Sequence, residues 1–408
     1  MSQRRIVIVG NSAAGLAAVE AIRRRDDGCP VTLVGEEARP AYSRVMLPYL
    51  LSGEREDLSL RAPDYYRRMR VEALLGRRAV AIDGDRLVLD DGARLPFDRL
   101  LLATGSRAAV PDIPGVGVPG VFAMKTMADA LAVRARLPAV RHVVILGGGL
   151  ICLLVVRALL KQGRSVSLVV SSDRLLSRLL DPGGAAIVHR RLAEAGVQVL
   201  TRTDARAILA SSGTVCAVVT GDGRELPADL VILAKGIRSD VELAKTGGLA
   251  TGRGILVDEY SRTSRADVFA AGDCAEAPDL LTPGTRTIPG NWFEAVAQGE
   301  AAGANMLGAG RPAPGALKMN VMEAVHTPVA SIGMLEPPDA EAGVLIRERN
   351  GTYRKLVMAR DRIVGAALVG DVSEAGLLAM LIRQGASLSA LKRLDLSRPM
   401  HYASLARG

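Results

Sequence analysis

Short apolar runs that end at glycine set the pattern of this chain. Arg5-Ile6-Val7-Ile8-Val9 enters Gly10 and a helix-like stretch from Ala13 to Arg25, and Val31-Thr32-Leu33-Val34 gives the next strand. A strand, a glycine turn, a helix and a second strand open a nucleotide-binding βαβ unit. The same rhythm returns at His142-Val143-Val144-Ile145-Leu146, Gly147-Gly148-Gly149, a helix to Lys161, and Val166 to Val170. Each unit has a later apolar strand, Leu100 to Ala103 in the first and Leu230 to Ala234 in the second, and Pro111 and Pro114 bracket a linker. After about residue 320 the texture changes to strands and hairpin signals: Val329 to Gly333, Gly343 to Arg347, Tyr353 to Met358 after Asn350-Gly351, and Ile363 to Val369, closed by a helix from Ser373 to Gln384. The pattern predicts an α/β protein with two Rossmann-like nucleotide-binding domains and a C-terminal α+β domain.

Length agrees, since 408 residues exceed what one core supports. Apolar residues are 49% and Gly numbers 43, which suits a packed α/β chain rich in tight turns. Aromatics are 3%, too few for a surface that stacks bases. There is no run of 18 or more apolar residues, and Met1 to Arg5 lead directly into a strand. Neither a transmembrane helix nor a signal peptide is expected, and the expected location is the cytoplasm. Cys29, Cys152, Cys216 and Cys274 lie far apart, which excludes a C-x-x-C or C-x₄-C redox pair and ordinary zinc spacing. Four histidines, none paired at short spacing, add nothing toward a metal site. The net charge of +9 comes from Arg and is spread widely without a nucleic-acid reader motif, so an acidic protein or an anionic cofactor is the expected partner.

Candidate chemistry begins at Gly10-Asn11-Ser12-Ala13-Ala14-Gly15. Gly10 permits the sharp turn and Gly15 lets the helix pack on the strand. Ser12 stands where a second glycine usually lets backbone approach a pyrophosphate; its small side chain leaves the helix N-terminus open to that group. Glu36 follows the second strand, where a carboxylate accepts from both hydroxyls of an adenosine ribose. Then come Pro40-Ala41-Tyr42-Ser43-Arg44-Val45-Met46-Leu47-Pro48-Tyr49, Ala103-Thr104-Gly105, and Val268 to Gly272-Asp273. Singly, Glu36 is a surface acid, Arg44 a surface base and Asp273 a helix cap. Their order is what argues for a site.

In that order the residues resemble the FAD/NAD(P)-dependent pyridine nucleotide-disulphide oxidoreductases, in particular the rubredoxin and ferredoxin reductases and the flavin-binding front half of assimilatory nitrite reductases. The likeness extends through Ala234-Lys235-Gly236-Ile237-Arg238 and from Lys355 to Gly370-Asp371. It implies an FAD-binding domain over 1–112 and 246–320, an NAD(P)-type domain over 113–245 and an interface domain over 321–408. It implies that Glu36 holds the adenosine ribose, Arg44 lies over the flavin or its phosphates, and Asp273 binds the ribityl chain. A helix starting near Asn291-Trp292 points its positive end at the flavin, where reduction leaves negative charge. Trp292 matches a tryptophan beside the flavin; ordinary core is its other reading. The single-thiol branch places its cysteine at Val45, and valine cannot form a thiolate. Related reductases pair a Lys with a Glu on the nicotinamide side, at Tyr49 and Leu154 here, so both charges are gone. No catalytic residue is assigned beyond Arg44, Tyr49 and Trp292 as neighbours of the flavin. The implied function passes electrons from NAD(P)H through FAD to an iron–sulphur or rubredoxin-like carrier; a homodimer is compatible with it.

The second turn reads as degenerate. Gly147-Gly148-Gly149-Leu150-Ile151-Cys152 has Cys where Gly or Ala normally brings helix to strand, Val170 stands where a carboxylate would grip the ribose of NADH, and Leu154 removes an acid. Ser171, Ser172 and Arg174 leave a 2′-phosphate possible. On that basis the alternative function is an FAD-containing electron-transfer subunit of a larger complex that does not bind NAD(P)H. The basic segment from Arg61 to Arg78, with Arg67, Arg68 and Arg70, is either a dock for an acidic carrier or a solvated helix face.

Overall fold

The computed structural model describes residues 4–389, 396 and 398–400. Met1 to Gln3 and the C-terminal end of the expected interface domain lie outside the described residues. The elements that frame the two glycine turns are β1 (Ile6–Val9), α1 (Ala13–Arg23), β2 (Val31–Gly35), β3 (Val71–Leu75), β4 (Arg99–Leu102), β5 (Val121–Ala123), β6 (His142–Leu146), α2 (Leu150–Lys161), β7 (Ser165–Val170), α3 (Pro182–Glu194), β8 (Gln198–Thr201), β9 (Leu230–Leu233), β10 (Val268–Ala270) and α4 (Trp292–Met306).

Two parallel sheets follow, ordered β10-β4-β1-β2-β3 and β8-β7-β6-β9-β5. In both, the strand before the glycine turn is central, with the next strand on one side and a later one on the other. That is the doubly wound arrangement, and it opens a crevice at the carboxyl end of the central strand. β1 is buried at every position, which is why it reads as an unbroken apolar run. Ile6 and Ile8 pack with α1 and α4 on one face, while Val7 and Val9 pack with Ile82, Leu87 and Leu89 of a three-stranded antiparallel sheet on the other. One compact unit contains β1 to β4, β10 and α4; the other contains Arg44–Leu58, Ala108–Ile237 and the described residues from Lys318 on.

In the first unit α1 packs on α4 through glycine. A Cβ added at Gly299 would lie 2.2 Å from the Ala14 carbonyl oxygen, and one at Gly303 would lie 2.5 Å from that of Ala18. The basic segment is not one helix. Its helix is confined to Tyr65–Arg68, Arg70 takes a positive φ of 49°, and the chain then enters β3 as a neighbour of β2. Val71 is buried while Glu72 points out to the Thr32 hydroxyl at 3.0 Å, so alternation wins over the helical charge pattern. Arg67 and Arg68 pair with Asp64 at 3.6 and 3.4 Å, and Arg70 pairs with Asp27 at 2.5 Å.

In the second unit the C-terminal region is a five-stranded antiparallel sheet of β11 (Met319–Ala324), β12 (Thr327–Gly333), β13 (Gly343–Arg349), β14 (Thr352–Ala359) and β15 (Arg362–Val369), followed by α5 (Ala375–Gln384). Its order is β11-β12-β15-β14-β13. Asn350 and Gly351 join β13 to β14 with φ of 50° and 77°, the left-handed pair that a tight hairpin needs. The sheet is tied to α3 by a buried cluster. Asp181, the N-cap of α3, accepts from the Gly184 N–H at 3.1 Å and the Tyr353 hydroxyl at 2.5 Å, and pairs with Lys355 at 3.1 Å. Burial pushes the Asp181 carboxyl up, but Tyr353, the Gly184 N–H and Lys355 outweigh it and hold it below the usual carboxylate range. Asp181→Ala is expected to cost about 3 kcal/mol, because it leaves buried Lys355 only the longer pairing with Glu336 at 3.7 Å. Because the folded carboxyl titrates low, its contribution is complete above the ordinary Asp range, near pH 4, and fades as pH falls through the lower folded value. Urea melts of wild type and Asp181→Ala across pH check this: a gap that widens on acidification contradicts it.

Candidate functional site

The two glycine turns are built alike. Gly10 has φ of 124°, and a Cβ there would sit 2.0 Å from the Ala103 carbonyl oxygen. Gly147 has φ of 144°, and a Cβ there would sit 2.1 Å from that of Ala234. In each unit the turn is therefore pressed onto the end of the later strand, and no other residue fits.

In the first unit Gly15 also has no room, since a Cβ would lie 2.0 Å from the Gly10 carbonyl oxygen. α1 starts after Ser12, whose hydroxyl makes no capping bond, so its first N–H groups, at Ala13 and Ala14, carry the positive end of the helix. Asn11 is held by the Tyr66 hydroxyl at 2.8 Å. Glu36 lies 3.8 Å from both Arg78 and Arg107, with its side chain 57% exposed. Thr104 donates to the Asp240 carbonyl at 2.7 Å, and Gly105 at φ of 72° has open space where a side chain would be. Asp273 accepts from the Ser106 hydroxyl at 2.9 Å, and its carbonyl accepts from Ser239 at 2.5 Å.

α4 carries Asn291 and Trp292 at its start and, further along, Gln298, which the motifs did not mark. Asn291 caps the helix, accepting from the Glu294 N–H at 2.9 Å, and half-buried Trp292 packs against the core of the unit. Buried Gln298 accepts from the Gly272 N–H at 2.8 Å, while its Nε2 has no hydrogen-bond partner among the described residues. A buried unpaired donor costs about 1–3 kcal/mol. A polar ligand with acceptors fits this place beside Gly272-Asp273. A polar residue on a helix face otherwise made of Ala295, Gly299 and Ala302 was the available sequence signal.

Arg44 and Tyr49 belong to the second unit. There Arg44 donates to the Lys125 carbonyl at 3.1 Å, and Arg157 lies over the Tyr49 ring, 5.0 Å from its centroid. Leu154 is buried. One turn further along α2, Arg157 and Lys161 pair with Glu54 at 3.0 and 3.1 Å, so charge missing at Tyr49 and Leu154 stands nearby on other residues.

At the second turn Gly149 begins α2 with nothing near a would-be side chain. Cys152 is fully buried and its thiol donates to the Gly147 carbonyl at 3.2 Å. Val170 is buried against Gly148. Ser171 donates to Asp204 at 3.1 Å, and Lys235 hydrogen-bonds both Ser171 and Asp204. Burial raises the Asp204 carboxyl, yet Lys235 outweighs it and the group titrates low. Arg174 is tied to Asp173 and to the Leu180 carbonyl, both at 3.0 Å.

None of the buried thiols is poised to ionise. Burial pushes Cys152 up to about 12 and also raises Cys29 and Cys274. Among the described residues no cluster of His, Cys, Asp and Glu is arranged to hold a metal, and no helix is long and apolar enough to cross a membrane.

Residues 4–299 match the model of the pyridine nucleotide-disulphide oxidoreductases, and residues 319–386 match the rubredoxin NAD+ reductase C-terminal domain. The chain belongs to the pyridine nucleotide-disulphide oxidoreductase family. It is an FAD-dependent oxidoreductase of the NAD(P)H-using class. It is 34% identical over 382 residues to the ferredoxin–NAD(+) reductase component of the biphenyl dioxygenase system of Paraburkholderia xenovorans, covering 90% of this chain and 93% of that one. It is 30% identical over 405 residues to the epsilon subunit of NADH-dependent phenylglyoxylate dehydrogenase of Aromatoleum evansii, covering 97% and 95%. Against nitrite reductase [NAD(P)H] of Bacillus subtilis identity is 29% over 411 residues, and the chain spans 50% of that relative's length. The fold matches putidaredoxin reductase in its covalent complex with putidaredoxin at a TM-score of 0.90 and 27% identity, covering 100% of this chain and 99% of that one.

The thiol geometry makes a direct prediction. A variant with Cys29, Cys152, Cys216 and Cys274 all changed to Ala or Ser keeps the flavin reduction rate of wild type. Stopped-flow spectra that show lost turnover with FAD retained would expose a reactive cysteine.

Proposed function

We propose that this protein takes a hydride from NAD(P)H and passes electrons to a small iron–sulphur or rubredoxin-like protein, with no redox-active disulphide. The observation that carries this reading is the repetition of one glycine-turn geometry, at Gly10 against Ala103 and at Gly147 against Ala234, in two parallel sheets. Each turn offers a helix N-terminus to a pyrophosphate, one for each dinucleotide. FAD supplies the chemistry, accepting a hydride and releasing electrons singly. Gly10, Ser12, Ala13, Ala14 and Gly15 cradle its pyrophosphate, Glu36 its adenosine ribose, and Ala103, Thr104, Gly105, Gly272 and Asp273 its ribityl and ring end. The positive end of α4 favours negative charge there. Arg44, Tyr49 and Trp292 are proposed as neighbours of the flavin, within an FAD-binding domain of 1–112 and 246–320, a nucleotide domain of 113–245 and an interface domain of 321–408. Widely separated free cysteines, with Cys29, Cys152 and Cys274 buried, support work in the cytoplasm.

The second reading, an electron-transfer subunit of a larger complex, is favoured by Val170 and Leu154, which offer no carboxylate at the second turn. The relative in phenylglyoxylate dehydrogenase is a subunit by name. Anaerobic mixing of the yellow protein with NADH and with NADPH separates the two. Bleaching by either, followed by reduction of an added ferredoxin or rubredoxin, supports the reductase. A flavin that dithionite bleaches and neither nucleotide touches supports the subunit.

A further inference from the structure

Three successive residues of β14, Tyr353, Arg354 and Lys355, are buried although each carries a polar or charged end. Arg354 pairs with buried Glu374, just before α5. Tyr353 and Lys355 point to the opposite face of the strand and meet Asp181 at the start of α3, at 2.5 and 3.1 Å. A buried ion pair adds little stability that well-packed apolar residues would not supply. What Tyr353 and Lys355 do supply is a fixed place for Asp181. The Tyr353 ring lies on the first turn of α3 as well, since a Cβ at Gly183 or Gly184 would come within 2.8 or 3.2 Å of it.

From Asp181 a short path leads back to the second glycine turn. Leu180, the preceding residue, is fully buried, and its N–H donates to the Leu176 carbonyl at 2.9 Å. Leu176 is held at a φ of 51°, a left-handed conformation that strains a branched side chain. Its own N–H donates to the Gly148 carbonyl at 2.8 Å, and Leu175 and Val170 crowd the place where a Gly148 side chain would be. Strain of this kind persists only where the surroundings fix the residue firmly. Here Gly148 holds Leu176 on one side and the Asp181 cluster holds it on the other. The peptide unit is planar, so a bond to the Gly148 carbonyl also sets the direction of the Gly149 N–H, which points the opposite way. Gly149 begins α2, and the N–H groups at a helix start are what a pyrophosphate meets.

We propose that Tyr353 and Lys355, on the C-terminal sheet, are positioning residues for the second glycine turn, acting through Asp181, Leu180 and Leu176 to hold the Gly148–Gly149 peptide in the orientation that binds a pyrophosphate. The proposal rests on the reading of the second unit as a nucleotide site. Neither residue acts on the nucleotide directly. Each sets how much of the binding energy is lost to ordering the turn, so the C-terminal sheet governs nucleotide affinity. The coupling is reciprocal, and a nucleotide on the turn steadies Leu176, Asp181 and β14 in return.

Calorimetry of the FAD-loaded protein with ADP, which carries the pyrophosphate and no nicotinamide, tests the link without turnover. Tyr353→Phe and Lys355→Met are each expected to weaken ADP binding by about three- to thirtyfold. Leu356→Ala, a cavity in the same strand on its other face, is the control: it lowers the melting temperature and leaves ADP affinity as in wild type. Tyr353 and Lys355 variants that bind ADP like wild type, or a Leu356→Ala protein that loses as much affinity as they do, overturn the proposal. If a variant does not fold, wild type answers alone. Hydrogen exchange over residues 174–184 and 352–358 slows when ADP binds, and exchange there that bound ADP leaves unchanged overturns the link equally. Failure of the underlying reading looks different: ADP then does not bind wild type, neither NADH nor NADPH bleaches the flavin, and the site and the proposal fall together.

Discussion

Gly299→Leu yields a protein that no longer retains FAD, and Gly299→Ala melts at a lower temperature than wild type. Helix propensity alone predicts the reverse for alanine, which is favoured over glycine inside a helix by about 1 kcal/mol. Packing decides the sign. A Cβ at position 299 would sit 2.2 Å from the Ala14 carbonyl oxygen, and backbone on α1 cannot swing aside as a side chain can. One added methyl is expected to cost about 1–3 kcal/mol, and leucine forces α4 away from α1 altogether. Gln298, the preceding residue, then loses its bond from the Gly272 N–H, and the turn that presents Asp273 loses its support. The absorbance ratio of flavin to protein after gel filtration reads the leucine variant, and calorimetric melting reads the alanine variant. An alanine variant more stable than wild type shows that the helix contact is looser than described, whether or not the leucine variant folds.

Asp273→Ala weakens FAD binding about ten- to a hundredfold, as loss of a charged hydrogen bond worth roughly 1.5–3 kcal/mol requires. Asp273 is half-buried, and its carboxylate is oriented by the Ser106 hydroxyl while Ser239 holds its carbonyl. Little water competes for its acceptor sites. Glu36→Ala has a smaller effect, because the Glu36 side chain is 57% exposed and is screened by Arg78 and Arg107. Fluorescence titration of apoprotein with FAD gives both constants, with Asp273→Asn between wild type and Ala. An Asp273→Ala protein that binds FAD like wild type removes Asp273 from the site, and a larger loss at Glu36 reverses the ranking.

Both parallel sheets were legible in the sequence because a strand covered on two faces is apolar throughout and a glycine turn cannot be replaced. Ile6–Val9 into Gly10 and His142–Leu146 into Gly147 state their structure locally. So does Asn350-Gly351, whose positive φ values are a property of those two residues. The segment from Arg61 to Arg78 is different. Its charges favour a helix face, and only pairing of Val71–Leu75 with β2, some forty residues earlier, makes it a strand. Cys152 reads as a defect along the chain, whereas in the fold its buried thiol meets the Gly147 carbonyl. The Gln298–Gly272 bond and the Asp181–Tyr353–Lys355 cluster join residues far apart in the chain, so no motif contains them. Sequence by itself determined the backbone turns and the buried strands, where one residue type is the only one that fits. The tertiary structure decided which polar groups meet, because a hydrogen bond or an ion pair depends on distance in space and leaves no period along the chain.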